Sequence, residues 1–158
     1  MALTRINLHK LLALMYAPIN IRRRVILEEI AADERRARGE VSSGGDFYAP
    51  FWKDAKTHMA GEGDLRALTA ARIAANNRRR NLYPLLEEGF LSWWNERRRW
   101  INEPFALIDA NITRNFEIPA LSATIKIHSA VRIRIGDRED RILYPYFREI
   151  PILGQEAA

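Results

Sequence analysis

The residues of this sequence that could do chemistry are mostly arginines, and many of them stand in runs. Three runs of three lie at positions 22–24, 78–80 and 97–99. Only four of the 25 basic residues are lysine, at positions 10, 53, 56 and 126, so 21 are arginine. Arginine binds phosphate and carboxylate groups with two hydrogen bonds and stacks on aromatic rings. The runs therefore indicate an anionic partner, although a GC-rich coding sequence would also supply an excess of arginine.

Charge and spacing favour nucleic acid as that partner. The net charge of +5 falls within residues 1–103, with 18 basic and 13 acidic side chains, whereas residues 104–158 carry seven of each. The runs at 78–80 and 97–99 lie 19 residues apart, which is about 28 Å along a helix, so they mark two ends and not one patch. The candidate nucleic-acid contacts are Arg22, Arg23, Arg24, Arg78, Arg79, Arg80, Arg98 and Arg99.

Arg97 is not counted among these contacts, because helical spacing predicts that it lies on the aromatic face of its helix. At about 100° per residue, Trp93, Arg97 and Trp100 share the face that carries Leu86 and Phe90. In one interpretation Arg97 stacks on Trp93 or Trp100 in the core, as a cation–π contact. In the other, these side chains line a groove where nucleobases stack and phosphates pair with arginine.

Residues suited to catalysis are sparse, so we predict no catalytic residue, no metal and no cofactor. The chain has no cysteine, and its three histidines, at positions 9, 58 and 128, lack the i, i+4 spacing of a helical zinc site. Asp109 and Lys126 resemble part of the restriction-endonuclease-like pattern, in which an Asp is followed by Glu-x-Lys. Thr124 stands where that pattern has Glu, which removes a metal ligand. A metal-dependent nuclease is therefore only the third-ranked function.

A protein-interaction or regulatory module ranks second, after nucleic-acid binding. The segment that carries Tyr144, Tyr146 and Phe147 is predicted to be an edge strand, because Pro145 cannot donate to a strand ladder. Edge strands recruit other chains, so a second copy of this protein could pair there. Alternatively, the partner is an acidic protein that binds the arginines.

Five helices are predicted ahead of residue 104. Apolar residues at helical spacing, with glycine turns and capping residues between them, place these helices at about 8–15, 19–38, 47–59, 65–79 and 82–101. Beyond residue 104 the apolar period becomes two, which is typical of half-buried strands. Even-numbered positions from Ala106 to Ile118 and odd-numbered positions from Ile125 to Ile135 are predicted to face inward.

The strand register follows from this parity. A tight first turn places Asp109 opposite Arg132 and Asn115 opposite Lys126. The third strand is predicted to turn three side chains inward, namely Ile142, Tyr144 and Tyr146.

Together these elements predict an α+β fold, in which an N-terminal layer of about five helices packs on a C-terminal three-stranded antiparallel meander. We expect a single domain over 1–158, with a helical part at 1–103, an antiparallel β part at 104–150 and a tail at 151–158. A chain of 158 residues can bury a core without a disulfide or metal. No signal peptide or membrane-spanning stretch is recognised, so we expect a cytoplasmic protein with no membrane partner.

Overall fold

The computed structural model describes residues 4–40, 47–137 and 139–147. Five α-helices lie within these residues: α1 (Leu8–Tyr16), α2 (Ile19–Ala37), α3 (Ala49–Met59), α4 (Leu65–Ala75) and α5 (Tyr83–Ser92). The strands are β1 (Arg5–Asn7), β2 (Phe105–Ile118), β3 (Ala123–Ile135) and β4 (Glu139–Leu143). The predicted α+β class is therefore confirmed.

Local sequence explains where several helices begin. The Asp64 carboxylate accepts a hydrogen bond from the Ala67 amide at 3.2 Å and caps α4. Proline occupies the first turn of α3 and of α5, at Pro50 and Pro84, where its missing N–H costs nothing. Gly61 follows α3 with a φ of +75°, a conformation that glycine adopts without strain.

The sheet has four strands and is mixed, so the predicted three-stranded antiparallel meander is incomplete. β3 is hydrogen-bonded to β1, β2 and β4. β4 pairs with it in the antiparallel sense, whereas β1 pairs in the parallel sense, with Ile6 beside Ile125. Three residues are too few to show a period of two, which is why β1 leaves no signal in the sequence.

The predicted inward face of the third strand is wrong. Leu143 pairs with the buried Val131, so odd-numbered residues of β4 share the core face. Ile142 instead pairs with Arg132 and is 58% exposed. The strand ends at Leu143, so Tyr144 and Tyr146 follow it.

The predicted inward face of β2 is only partly right. Ala110, Ile112 and Ile118 are half-buried as expected. Ile108 and Phe116 are exposed, while the odd-numbered Phe105 and Leu107 pack against the core. The buried face therefore changes parity between Leu107 and Ala110, and a simple alternating pattern cannot anticipate such a change.

The chain divides into two compact units. Unit 1 comprises residues 1–45, 111–130 and 148–158, and unit 2 comprises residues 46–110 and 131–147. The main hydrophobic core belongs to unit 2, and its largest fully buried side chains are Tyr83, Phe51, Leu65, Ile133 and Val131. No helix in the described part of the chain is long and apolar enough to cross a membrane.

Candidate arginine–aromatic site

A π-helical turn follows α5 without a break and sets the position of Arg98. This turn spans Trp93–Arg97, and the Arg98 amide donates to the Trp93 carbonyl at 3.0 Å, five residues back. A π turn holds one residue more than an α turn. Each side chain after it therefore lies about where the preceding residue would lie in a continuous α-helix. Arg98 accordingly takes the place that α-helical spacing predicts for Arg97.

The guanidinium of Arg98 lies against three aromatic rings. Its central carbon is 3.8 Å from the centre of a Trp94 ring, 4.6 Å from that of Trp100 and 5.2 Å from that of Phe105. These distances fall within the range of cation–π contacts. Arg97 is exposed, so the prediction that Arg97 stacks on a tryptophan is wrong by one residue.

The three rings also pack on one another and form a closed triangle. Their centres lie 5.5 Å apart for Trp94 and Trp100, 5.3 Å for Trp94 and Phe105, and 5.5 Å for Trp100 and Phe105. Both tryptophans are buried. A nucleobase could not stack on Trp94 or Trp100 unless the ring left the core, so these rings hold the arginine in place.

The environment of Arg98 is costly for a cation. Its Nε and Nη1 atoms are buried and have no hydrogen-bond partner within the described residues. Burial lowers the pKa of Arg98. A buried donor without a partner costs about 1–3 kcal/mol, whereas a cation–π contact returns about 0.5–2 kcal/mol.

Each of the other two runs contains arginines with internal partners. Arg22 donates through Nε to the Ala17 carbonyl at 2.6 Å and through Nη2 to the Met15 carbonyl at 3.1 Å, which satisfies the C-terminal end of α1. The nearest atoms of Arg24 and Glu28 are 3.8 Å apart.

Arg79 lies over the Tyr83 ring at 5.3 Å, and its Nη1 donates to the Arg72 carbonyl at 3.3 Å. The remaining members of the predicted set are exposed, namely Arg23, Arg78, Arg80 and Arg99.

Within unit 2, the structure brings together Arg97, Arg98 and Arg99, but it separates them from residues 78–80. The helical segment 83–97 lies between the two runs, and fourteen residue steps correspond to roughly 21 Å. This agrees with the expectation that the two runs mark opposite ends of one helical segment. Residues 22–24 belong to unit 1.

A buried ion pair between α3 and α4 is a feature that sequence reasoning missed. Asp54 is 5% exposed, and Arg72 donates to its two oxygens at 2.8 and 2.9 Å. These hydrogen bonds are the main cause that raises the pKa of Arg72. The sequence feature that could have predicted this ion pair is Asp54 itself, an acidic residue on the apolar face of α3 beside Phe51 and Ala55. Its bidentate geometry marks it as a structural contact.

The arginines of β3 pair with a strand that the predicted register did not consider. Arg134 and Arg132 both donate to the Asp140 carboxylate, through Nε atoms at 2.8 and 3.0 Å. The expected partner of Arg132 was Asp109. Asp109 instead lies near Lys56, where its charge opposes the effect of burial, which lowers the pKa of Lys56. Lys56 donates to the Ala110 carbonyl at 2.9 Å.

No metal site is formed by the described residues, which contain no group of three or more His, Cys, Asp and Glu side chains that could hold an ion. His58 contacts the backbone of the turn between α3 and α4. Its Nδ1 atom lies 3.1 Å from the Gly63 carbonyl oxygen and 3.3 Å from the Leu65 amide nitrogen.

The aromatic segment predicted to recruit a partner packs partly into unit 2. The Phe147 ring lies 5.5 Å from Phe51, 5.8 Å from Trp52 and 6.0 Å from Tyr48. Tyr144 and Tyr146 are half-buried. A partner role for Tyr144, Tyr146 and Phe147 stays a prediction, but these residues do not form the aromatic edge strand on which it was based.

No protein-family model, curated protein or solved structure matches this chain. Any function assigned to it must therefore come from its own residues.

Proposed function

We propose that this protein is a noncatalytic binding protein that contacts the phosphate backbone of nucleic acid through Arg97, Arg98 and Arg99. The supporting observation is that the helical segment ends in three arginines, of which Arg97 and Arg99 are exposed and Arg98 is half-buried against three aromatic rings. Three guanidinium groups at the end of one helical segment attract an anion with several oxygens.

Backbone contact is favoured over base stacking. Trp94 and Trp100 are buried against Arg98, which leaves their rings unable to accept a base. Phosphate contacts carry little sequence information, so we expect similar affinity for unrelated sequences. Arg78 and Arg80, exposed at the other end of the segment, would reach further phosphates of a duplex or an extended single strand.

The test is a titration of labelled duplex and single-stranded oligonucleotides at about 50 and 200 mM salt. Phosphate contacts by these five arginines predict a loss of affinity of roughly 500-fold over that range, through release of counterions. Replacing Arg97 and Arg99 together by Gln should weaken binding and reduce the magnitude of the salt slope by about 2. Arg66→Gln is the matched control, because Arg66 is an exposed arginine on α4.

A third variant separates binding from folding. Arg98→Met keeps an unbranched side chain against the three rings and removes the charge with its two unpaired nitrogens. We expect weaker binding with an unchanged or higher urea midpoint, because the lost cation–π contact is offset by the removed desolvation cost. Binding that is absent, that ignores salt, or that falls equally in Arg66→Gln would overturn the proposal.

A further inference from the structure

The helix α2 of unit 1 is 19 residues long, yet none of its residues is buried. Leu27 is 57% exposed and Ile19 is 78% exposed. Helices of globular proteins owe most of their stability to an apolar face that is packed against something. An exposed leucine at the middle of a helix without a buried residue therefore indicates that α2 has a further packing partner.

One stripe of α2 has the spacing of a helix that packs on another helix. Arg23, Leu27, Ile30 and Glu34 follow one another at intervals of four, three and four residues, so they share one face. Arg23 and Leu27 are exposed, and Ile30 and Glu34 are half-buried. Part of the stripe is therefore open to solvent, and it carries a cation at one end, two apolar residues in the middle and an anion at the other end.

When two copies of this stripe run in opposite directions, each cation faces an anion and each apolar residue faces an apolar residue. In an antiparallel pair of α2 helices related by a two-fold axis between positions 28 and 29, Arg23 meets Glu34 of the second copy. Leu27 then meets Ile30, and each contact occurs twice by symmetry. The stripe matches itself in both charge and hydrophobicity, which is the reason to choose a second copy as the occupant.

The two charges needed for this contact are those of Arg23 and Glu34. Among the described residues, three other ion pairs involve α2, namely Lys10 with Glu29, Arg24 with Glu28, and Arg36 with Asp33. Within the described residues, Arg23 and Glu34 take part in no ion pair. A polyanion meets no continuous run of basic residues on this helix, because four acidic residues at positions 28, 29, 33 and 34 separate Arg22–Arg24 from Arg35 and Arg36.

We propose that the stripe Arg23, Leu27, Ile30 and Glu34 is a homodimer interface, in which α2 packs antiparallel on α2 of a second copy of this chain. A contact between two helices of about 28 Å is at the small end of specific interfaces. The dimer should therefore dissociate on dilution in the micromolar range.

Sedimentation equilibrium of the full chain over a range of concentrations tests the apolar part. Leu27→Glu should be monomeric at concentrations where the unmodified protein is dimeric, since it places a charge in both Leu27 and Ile30 contacts. The matched control is Leu85→Glu, because Leu85 is 63% exposed on α5; it should leave the dimer intact. Circular dichroism checks that both variants keep their helices.

A charge swap tests the antiparallel register. Arg23→Glu and Glu34→Arg should each raise the dissociation constant about tenfold or more, because either one puts two like-charge pairs into the symmetric contact. The double variant restores both pairs and should recover the original constant. A chain that is monomeric at every concentration, or a double variant that stays weak, overturns the proposal. A monomer whose oligonucleotide affinity falls in Arg23→Glu would overturn it in favour of nucleic acid.

Discussion

At the scale of single residues, Asp140 accepts hydrogen bonds from two arginines of the neighbouring strand. Hydrogen bonds from Arg134 and Arg132 lower the pKa of Asp140 from 3.8 to about 2. The hydrogen bond that Arg134 donates to Asp140 is also the main cause that raises the pKa of Arg134. Asp140 of β4 thus binds Arg132, for which the sequence predicted Asp109 of β2 as the partner.

This geometry predicts a defined pH dependence for the β3–β4 pair. A carboxylate whose pKa is lower in the folded than in the unfolded state stabilises the fold above the unfolded value. The contribution of Asp140 should therefore be complete above about pH 4 and should be lost as the pH falls through about 2. Urea midpoints of the unmodified protein and of Asp140→Asn, measured from pH 2 to 7, should differ by a constant amount at neutral pH and converge in acid. A difference that does not change with pH would contradict this assignment.

At the scale of elements, the sequence-based prediction of helices and long strands was largely correct, and its errors trace to single-residue irregularities. Uniform 100° steps along α5 placed Arg97 among the rings, because no residue type within Trp93–Arg97 announces a π turn. The turn adds one residue, so Arg98 lies against the rings in place of Arg97. Similarly, the turn that leads into β4 at Gly136 sets a register that faces Leu143 inward, against the pattern of Ile142, Tyr144 and Tyr146.

We predict that the extra residue of the π turn can be deleted without disturbing the core. Deleting Asn95, which is exposed within the turn, should convert the π turn to an α turn and leave Trp94 and Arg98 in their present contacts. Deleting Glu88, which is exposed within α5, should instead rotate Phe90 and everything after it by about 100° relative to Leu86.

Near-ultraviolet circular dichroism and urea unfolding distinguish the two deletions. The Asn95 deletion should keep the tryptophan signal and a cooperative transition, and the Glu88 deletion should lose both. If the two deletions were equally damaging, the π turn would be an integral part of the core and not an insertion.

At the scale of the whole molecule, the periodicity of the sequence predicted the α+β class but not the distribution of burial. Apolar residues at helical spacing predicted α2 as well as α3 and α5, but this spacing does not tell how deeply each helix is buried. Burial depends on contacts between distant segments, and these are formed mainly within unit 2. Among the described residues of unit 1, the buried ones are Ile6, Ala13, Leu14, Ala17 and Ala130, and three of these five are alanines that bury little surface.

This uneven burial predicts uneven protection of backbone amides from hydrogen exchange. Segments with few buried apolar contacts open locally at a lower free energy than the global unfolding step. Amides in the middle of α2 should therefore exchange at least about tenfold faster than those of α3, α5 and residues 131–135 of β3, which border fully buried side chains. Hydrogen exchange followed by mass spectrometry at low and high protein concentration measures both rates. If α2 packs on a second copy, its amides alone should slow as the concentration rises, because association stabilises only the bound form. Protection that is uniform along the chain at low concentration would show that α2 is held by contacts other than those described.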